Sequence, residues 1–269
     1  MTDFDRRRAL EAALAATSAA SVELMKRFRP AGGEIRAWQK APGAPVTDAD
    51  VASDRAIAAA LEAGGAPGEI LSEEGQAGEK TGAALTWLVD PLCGTLPYRY
   101  GLAHWGINVA LRDVNSLEIA VLAVPTAGDV FLAARGHGVA RNGNRYTARA
   151  PHAPLSEAAV CVEIDNGSEW PIYAPGVTRW APAIGAINMY SSIAYPASQL
   201  IQGRLAALVV YRVAPVHVAA GALLAAELGL RVSDVRGAPV DWSQDGDLPS
   251  LVIGWPEHHA ALIEAISRA

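Results

Sequence analysis

Apolar residues recur at helical spacing between positions 5 and 28, where Leu10, Ala13, Leu14, Thr17, Leu24 and Phe28 share one face, and this predicts an amphipathic helix. The run Arg29-Pro30-Ala31-Gly32-Gly33 stops it. A hairpin-like stretch over 34–40 and a breaker run over 41–45 follow. A second helix then starts within Val46-Thr47-Asp48-Ala49-Asp50, with Thr47 as N-cap and Asp50 completing a capping box, and ends near Gly64-Gly65. Short apolar runs over 69–74, 86–89, 105–112, 117–124 and 129–134 read as strands, with turns at Gly136, Gly138 and Asn142-Gly143. Beyond position 158, strands over 159–164, 186–189, 206–211 and 251–254 alternate with helices over 174–183, 195–203, 215–228 and 256–268. The pattern is α/β with mixed sheets, in two packed halves, 1–150 and 151–269, that meet around 145–160 as one unit.

Composition narrows the function. In 269 residues, 51 % are hydrophobic and only 19 % charged, which excludes intrinsic disorder. The net charge of −6 argues against a basic nucleic-acid-binding surface. The longest apolar runs, such as 205–210, are far shorter than the roughly 20 residues of a membrane span. The charged N-terminus leads into an alanine-rich helix and not into a signal core, so a cytoplasmic protein with a small-molecule substrate, no nucleic acid and no membrane partner is expected. Two cysteines, Cys93 and Cys161, are too few for a disulfide framework.

Carboxylates end two of the strands. Glu73 follows one and Asp90 the next, and clustered oxygen donors suit Mg²⁺. Each alone reads more readily as a solvated strand end. Together, Val46-Thr47-Asp48-Ala49-Asp50, Ser72-Glu73-Glu74, Trp87-Leu88-Val89-Asp90-Pro91-Leu92-Cys93-Gly94-Thr95 and Pro215-Val216-His217-Val218-Ala219-Ala220-Gly221 resemble, in order and spacing, the inositol monophosphatase superfamily. The segments 131–143 and 203–207 resemble the same family.

The resemblance implies a layered αβαβα sandwich, commonly a homodimer. It also implies Mg²⁺-dependent, Li⁺-sensitive hydrolysis of inositol, sugar or 3′-nucleotide phosphomonoesters by metal-assisted displacement. Glu73, Asp90 and the Leu92 carbonyl match the positions that hold a first metal. Thr95 and Asp50 match the pair that activates water, and Lys40 falls near the phosphate. Two positions depart. Cys93 and His217 stand where the family places aspartates for a second metal. The segment Ser191-Ser192-Ile193-Ala194 departs from the usual substrate loop, and Val210 replaces a carboxylate that often contacts the polyol, which argues against an inositol phosphate.

Three readings follow. In the first, Cys93 is a nucleophile on an acyl-type electrophile, His217 its base, Asp90 the group that orients His217, and Thr95 with nearby N–H groups the oxyanion donors. In the second, Glu73, Asp90 and Leu92 keep one Mg²⁺, or thiolate, imidazole and carboxylate take Zn²⁺ instead, in a phosphomonoesterase. The third is a non-catalytic relative that binds a ligand or partner. For the cofactor, one Mg²⁺ and no metal at all both stay open. Lys40, Asp50, Gly94, Thr95, Tyr98 and Trp105 are the candidate substrate contacts, with His104 and Trp38 as further pocket walls. Cys161 reads as a packing residue, and His258-His259 as solvated surface.

Overall fold

A computed structural model describes residues 3–29, 35–41, 44–75, 84–164 and 169–269. The predicted stop at 30–33 and the breaker at 42–43 lie outside the described residues. Helices α1 (Asp3–Arg27) and α2 (Asp48–Ala63) pack against each other, and the hairpin β1 (Ala37–Ala41) and β2 (Ala44–Thr47) links them. The α2 cap is the predicted one. The Thr47 hydroxyl accepts from the Ala49 and Asp50 amides, and Asp50 reaches back to the Thr47 amide.

Seven strands form the first sheet in sequence order: β3 (Glu69–Ser72), β4 (Thr86–Cys93), β5 (Gly106–Arg112), β6 (Leu117–Val124), β7 (Asp129–Ala134), β8 (Val139–Arg141) and β9 (Asn144–Tyr146). Among the described residues of this sheet, only the β3–β4 pair is parallel. Strand β4 is buried along its whole length and runs on through Asp90-Pro91-Leu92-Cys93, where its pairing with β5 breaks register. The second sheet has five strands in the order β11 (Ala186–Asn188), β10 (Ala159–Ile164), β12 (Ala207–Val213), β14 (Leu248–Gly254) and β13 (Arg231–Ser233).

Helices separate and cover these sheets. α1 and α2 cover one face of the first sheet, against a core that includes Leu24, Ile57, Trp87 and Trp105. α5 (Ala194–Ile201) and α6 (Pro215–Glu227) fill the space between the sheets in one shared core. α4 (Trp170–Trp180) and α7 (Pro256–Ser267) cover the far face of the second sheet. The layers therefore read α, β, α, β, α, as the resemblance implies.

Some local expectations change. Helix α4 starts earlier than predicted because Pro171 sits in its first turn, where a missing N–H costs nothing. The short strands β8 and β9 flank a turn with Asn142 at φ 50° and Gly143 at φ 77°. His258 and His259 are not surface groups: α7 turns both inward, His258 Nε2 donating to the Ala153 carbonyl at 2.8 Å and His259 Nε2 lying 2.8 Å from the Ser233 hydroxyl. Cys161 is buried in β10, as expected.

Candidate active site

The parallel pairing of β3 and β4 brings their C-terminal ends side by side, which places Glu73 beside Asp90. The Glu73 amide donates to the Val89 carbonyl and fixes that junction. Asp90 is wholly buried. Its Oδ1 accepts from the Leu92 amide at 3.2 Å, and its Oδ2 lies 2.6 Å from Nδ1 of His217. A carboxylate only accepts, so Nδ1 carries the proton. His217 enters from the first turn of α6, where Pro215 starts the helix, and its carbonyl accepts from Asn108 Nδ2 of β5 at 3.0 Å. Glu73 Oε2 is 3.9 Å from the same imidazole nitrogen.

Burial pushes the Glu73 carboxyl above its usual range, and the charge of Asp90 adds to this. Two carboxylates converging in one buried corner favour a cation between them. Lys40 holds the other edge, with Nζ 2.8 Å from Glu73 Oε1 and 2.5 Å from Glu74 Oε1. Burial alone would lower the Lys40 ammonium, but Glu73 and then Glu74 raise it.

Cys93 ends β4 with 4 % of its surface exposed. Its sulfur accepts from the amides of Ile193 at 3.1 Å and Ala194 at 3.2 Å, at the start of α5. The Ser192 hydroxyl donates to the Cys93 carbonyl at 2.9 Å. Burial, and then the charge of Asp90, push the thiol up to about 12. Gly94, at φ 107°, lets the chain pass so close that a Cβ would sit 2.9 Å from both the His104 carbonyl and Ser192 Cβ. Thr95 then opens the short helix α3 (Thr95–Arg99) and donates its hydroxyl to Asp50 Oδ1 at 2.8 Å. Asp50 is fully enclosed, and burial pushes it up to about 7.

Glu73, Asp90, Leu92, Cys93, Gly94, Thr95 and His217 all line one cavity of about 520 Å³, with Asp50 behind Thr95 and Lys40 bonded to Glu73. Two predicted substrate contacts fail. Tyr98 and Trp105 are 0 % exposed and stack with Phe28 under α1, and the Tyr98 hydroxyl donates to the Leu24 carbonyl at 2.7 Å. They are core: Tyr98 lies on the buried face of α3, and Trp105 leads into β5 in the same cluster as the α1 residues. The cavity also includes residues that the sequence did not single out, among them Glu163, Glu169, Trp170, Arg212 and Asp247. Glu163 had a signal, an acid inside an apolar strand. It accepts from the Tyr190 amide at 2.5 Å and the Ser191 amide at 3.2 Å. Arg212 had none. Its φ of 45° is left-handed, and its guanidinium bonds Glu169 and Asp247.

Five alternating layers with an acidic cavity at the ends of β3 and β4 define a phosphatase-type α/β sandwich. The chain belongs to the inositol monophosphatase family, whose family model matches residues 5–269. It is 31 % identical over 217 residues to a Streptomyces griseus protein named glucose-1-phosphate thymidylyltransferase, covering 77 % of this chain and 79 % of that one. It is 28 % identical over 242 residues to an inositol-1-monophosphatase of Rhizobium meliloti, covering 88 % and 89 %. The crystal structure of the extragenic suppressor protein SuhB from Bartonella henselae superimposes with a TM-score of 0.84 at 20 % identity, over 96 % of this chain and 98 % of that one. That last likeness concerns the fold alone. Among the described residues, no helix is long and apolar enough to cross a membrane.

Proposed function

We propose that this chain hydrolyses a small-molecule phosphomonoester with one Mg²⁺ held by Glu73, Asp90 and the Leu92 carbonyl. The donors fit a hard cation: two converging carboxylates and a main-chain oxygen, with Glu73 pushed up by burial and by its neighbour. When bound, that ion would polarise the phosphoryl oxygens and draw a water toward them. The observation that carries the reading is that Thr95, donating to Asp50 at 2.8 Å, opens on the same cavity as Glu73 and Asp90.

In this reading the Thr95 oxygen takes a proton from the attacking water as its own proton passes to Asp50 Oδ1. An Asp50 that titrates near 7 is matched to this task at neutral pH. Lys40 acts on Glu73, holding Oε1 while Oε2 lies 3.9 Å from Nδ1 of His217. His217 donates its Nδ1 proton to Asp90 Oδ2 and satisfies that buried acceptor. Pairing into a homodimer, implied by the family likeness, is tested by analytical ultracentrifugation.

A second reading, Cys93 as nucleophile with His217 as base, is favoured by one observation: donor atoms of Asp90, Cys93 and His217 all lie within 4.8 Å of one another. The buried, protonated thiol opposes it. Phosphate release from a panel of sugar, polyol and nucleotide monophosphates separates the two. Mg²⁺-dependent release that EDTA abolishes and Thr95→Ala removes is expected. Turnover of esters that survives EDTA and vanishes in Cys93→Ala would overturn it in favour of the nucleophile. No turnover of any substrate would make the chain a binding protein.

A further inference from the structure

We infer that Asp90, Cys93 and His217 form a second cation site that takes Zn²⁺ and discriminates against Mg²⁺. Three ligand types meet here from separate elements: a carboxylate inside β4, a thiol at its end and an imidazole in the first turn of α6. Their donor atoms lie within 4.8 Å of one another. A sulfur, nitrogen and oxygen set is suited to Zn²⁺, whereas Mg²⁺ requires oxygen donors.

The surroundings already orient all three groups. The Cys93 sulfur accepts the Ile193 and Ala194 amides at 3.1 and 3.2 Å, a pattern that suits a metal-bound thiolate. Asp90 is fixed through Oδ1 by the Leu92 amide, which leaves Oδ2 toward His217. The His217 backbone is held by Asn108. Tetrahedral bonds of about 2.0–2.3 Å separate ligand atoms by roughly 3.3–3.6 Å. An ion between them would displace the Nδ1 proton to solvent and open the 2.6 Å Asp90–His217 contact toward that span. All three residues line the cavity, so a fourth ligand would come from its solvent or from a substrate oxygen. Three protein ligands with one open position is the pattern of a reactive zinc, not of a purely structural one.

This site shares only Asp90 with the Mg²⁺ site proposed for phosphoester hydrolysis. Its test uses no turnover, so either can fail alone. The chelator-stripped full chain is titrated with Co²⁺ in excess Mg²⁺ while absorbance is followed. One equivalent should produce a near-ultraviolet thiolate-to-cobalt band with tetrahedral visible bands, and Zn²⁺ should displace it. Cys161→Ala should keep the band. Cys93→Ala should lose it, and His217→Ala should weaken Co²⁺ binding at least about tenfold. Absence of a thiolate band in the wild type, persistence in Cys93→Ala, or loss in Cys161→Ala would each overturn the assignment. The wild-type and Cys161→Ala arms remain decisive if Cys93→Ala does not fold.

Discussion

Oδ2 of Asp90 lies 2.6 Å from Nδ1 of His217, and the carboxylate is fully enclosed. The imidazole N–H is therefore a close hydrogen-bond donor to a carboxylate that water does not reach. Truncating it strands that charge. His217→Ala should cost about 3 kcal/mol in urea unfolding. In combination with Asp90→Asn much of this should return, giving a coupling above about 1 kcal/mol in a double-mutant cycle. Simple additivity would show that the contact carries no energy.

Asp50 gives activity and stability opposite pH slopes. Its pKa rises from 3.8 to about 7 on folding, so the native state binds the proton more tightly than the unfolded chain. Its contribution to stability is fully present below about pH 4 and is lost as pH rises through about 7. Proton acceptance needs the ionised form, so kcat/KM should climb with a midpoint near pH 7. Asp50→Asn should flatten that limb and lower kcat by about 10²-fold or more.

The thiol of Cys93 should be inert. Pushed up to about 12 and enclosed, it offers little thiolate at pH 8. Iodoacetamide should leave it unmodified in the folded, chelator-treated chain, and label both cysteines in urea, as mass spectrometry of peptides would show. Rapid labelling of the folded chain at Cys93 would support the nucleophile instead.

Tyr98 should matter to folding and not to substrate. Tyr98→Phe removes the hydroxyl bond to the Leu24 carbonyl and should cost about 1 kcal/mol. KM should be unchanged. A shifted KM with full stability would return Tyr98 to the cavity.

Arg212 holds a left-handed conformation on the rim of the cavity. Its ion pairs with Glu169 and Asp247 are exposed on the arginine side and worth little. Arg212→Gly should be more stable than Arg212→Ala by about 1 kcal/mol in denaturant midpoints, because glycine accepts this φ without a Cβ clash.

Local chemistry was legible where it is self-contained. The Thr47–Asp50 cap closes over three residues and needs no partner elsewhere, and strands such as β6 are buried runs bounded by turns. The half-exposed three-residue strands β8 and β9 have no such periodicity. Tyr98 and Trp105 sit just after the metal motif, and nearness along the chain suggested nearness to the cavity. The buried face of α3 and the lead into β5 put them under α1 instead. The bond between Cys93 and the amides of residues 193 and 194 spans a hundred positions and leaves no trace in either segment. The convergence of Glu73, Asp90 and His217 was legible only through the family likeness. The strained backbone of Arg212 was not legible at all.

The grip on residue 93 comes from peptide N–H groups, which every residue except proline supplies. Substitutions at 193 and 194 therefore leave it largely intact. A carboxylate, a hydroxyl or a thiolate at 93 would all accept the same pair of donors. One codon can thus recast the chemistry of the cavity with no matching change on the facing helix. The scaffold works as a socket with interchangeable contents, and this makes position 93 a place where new reactivity can arise without first dismantling the fold.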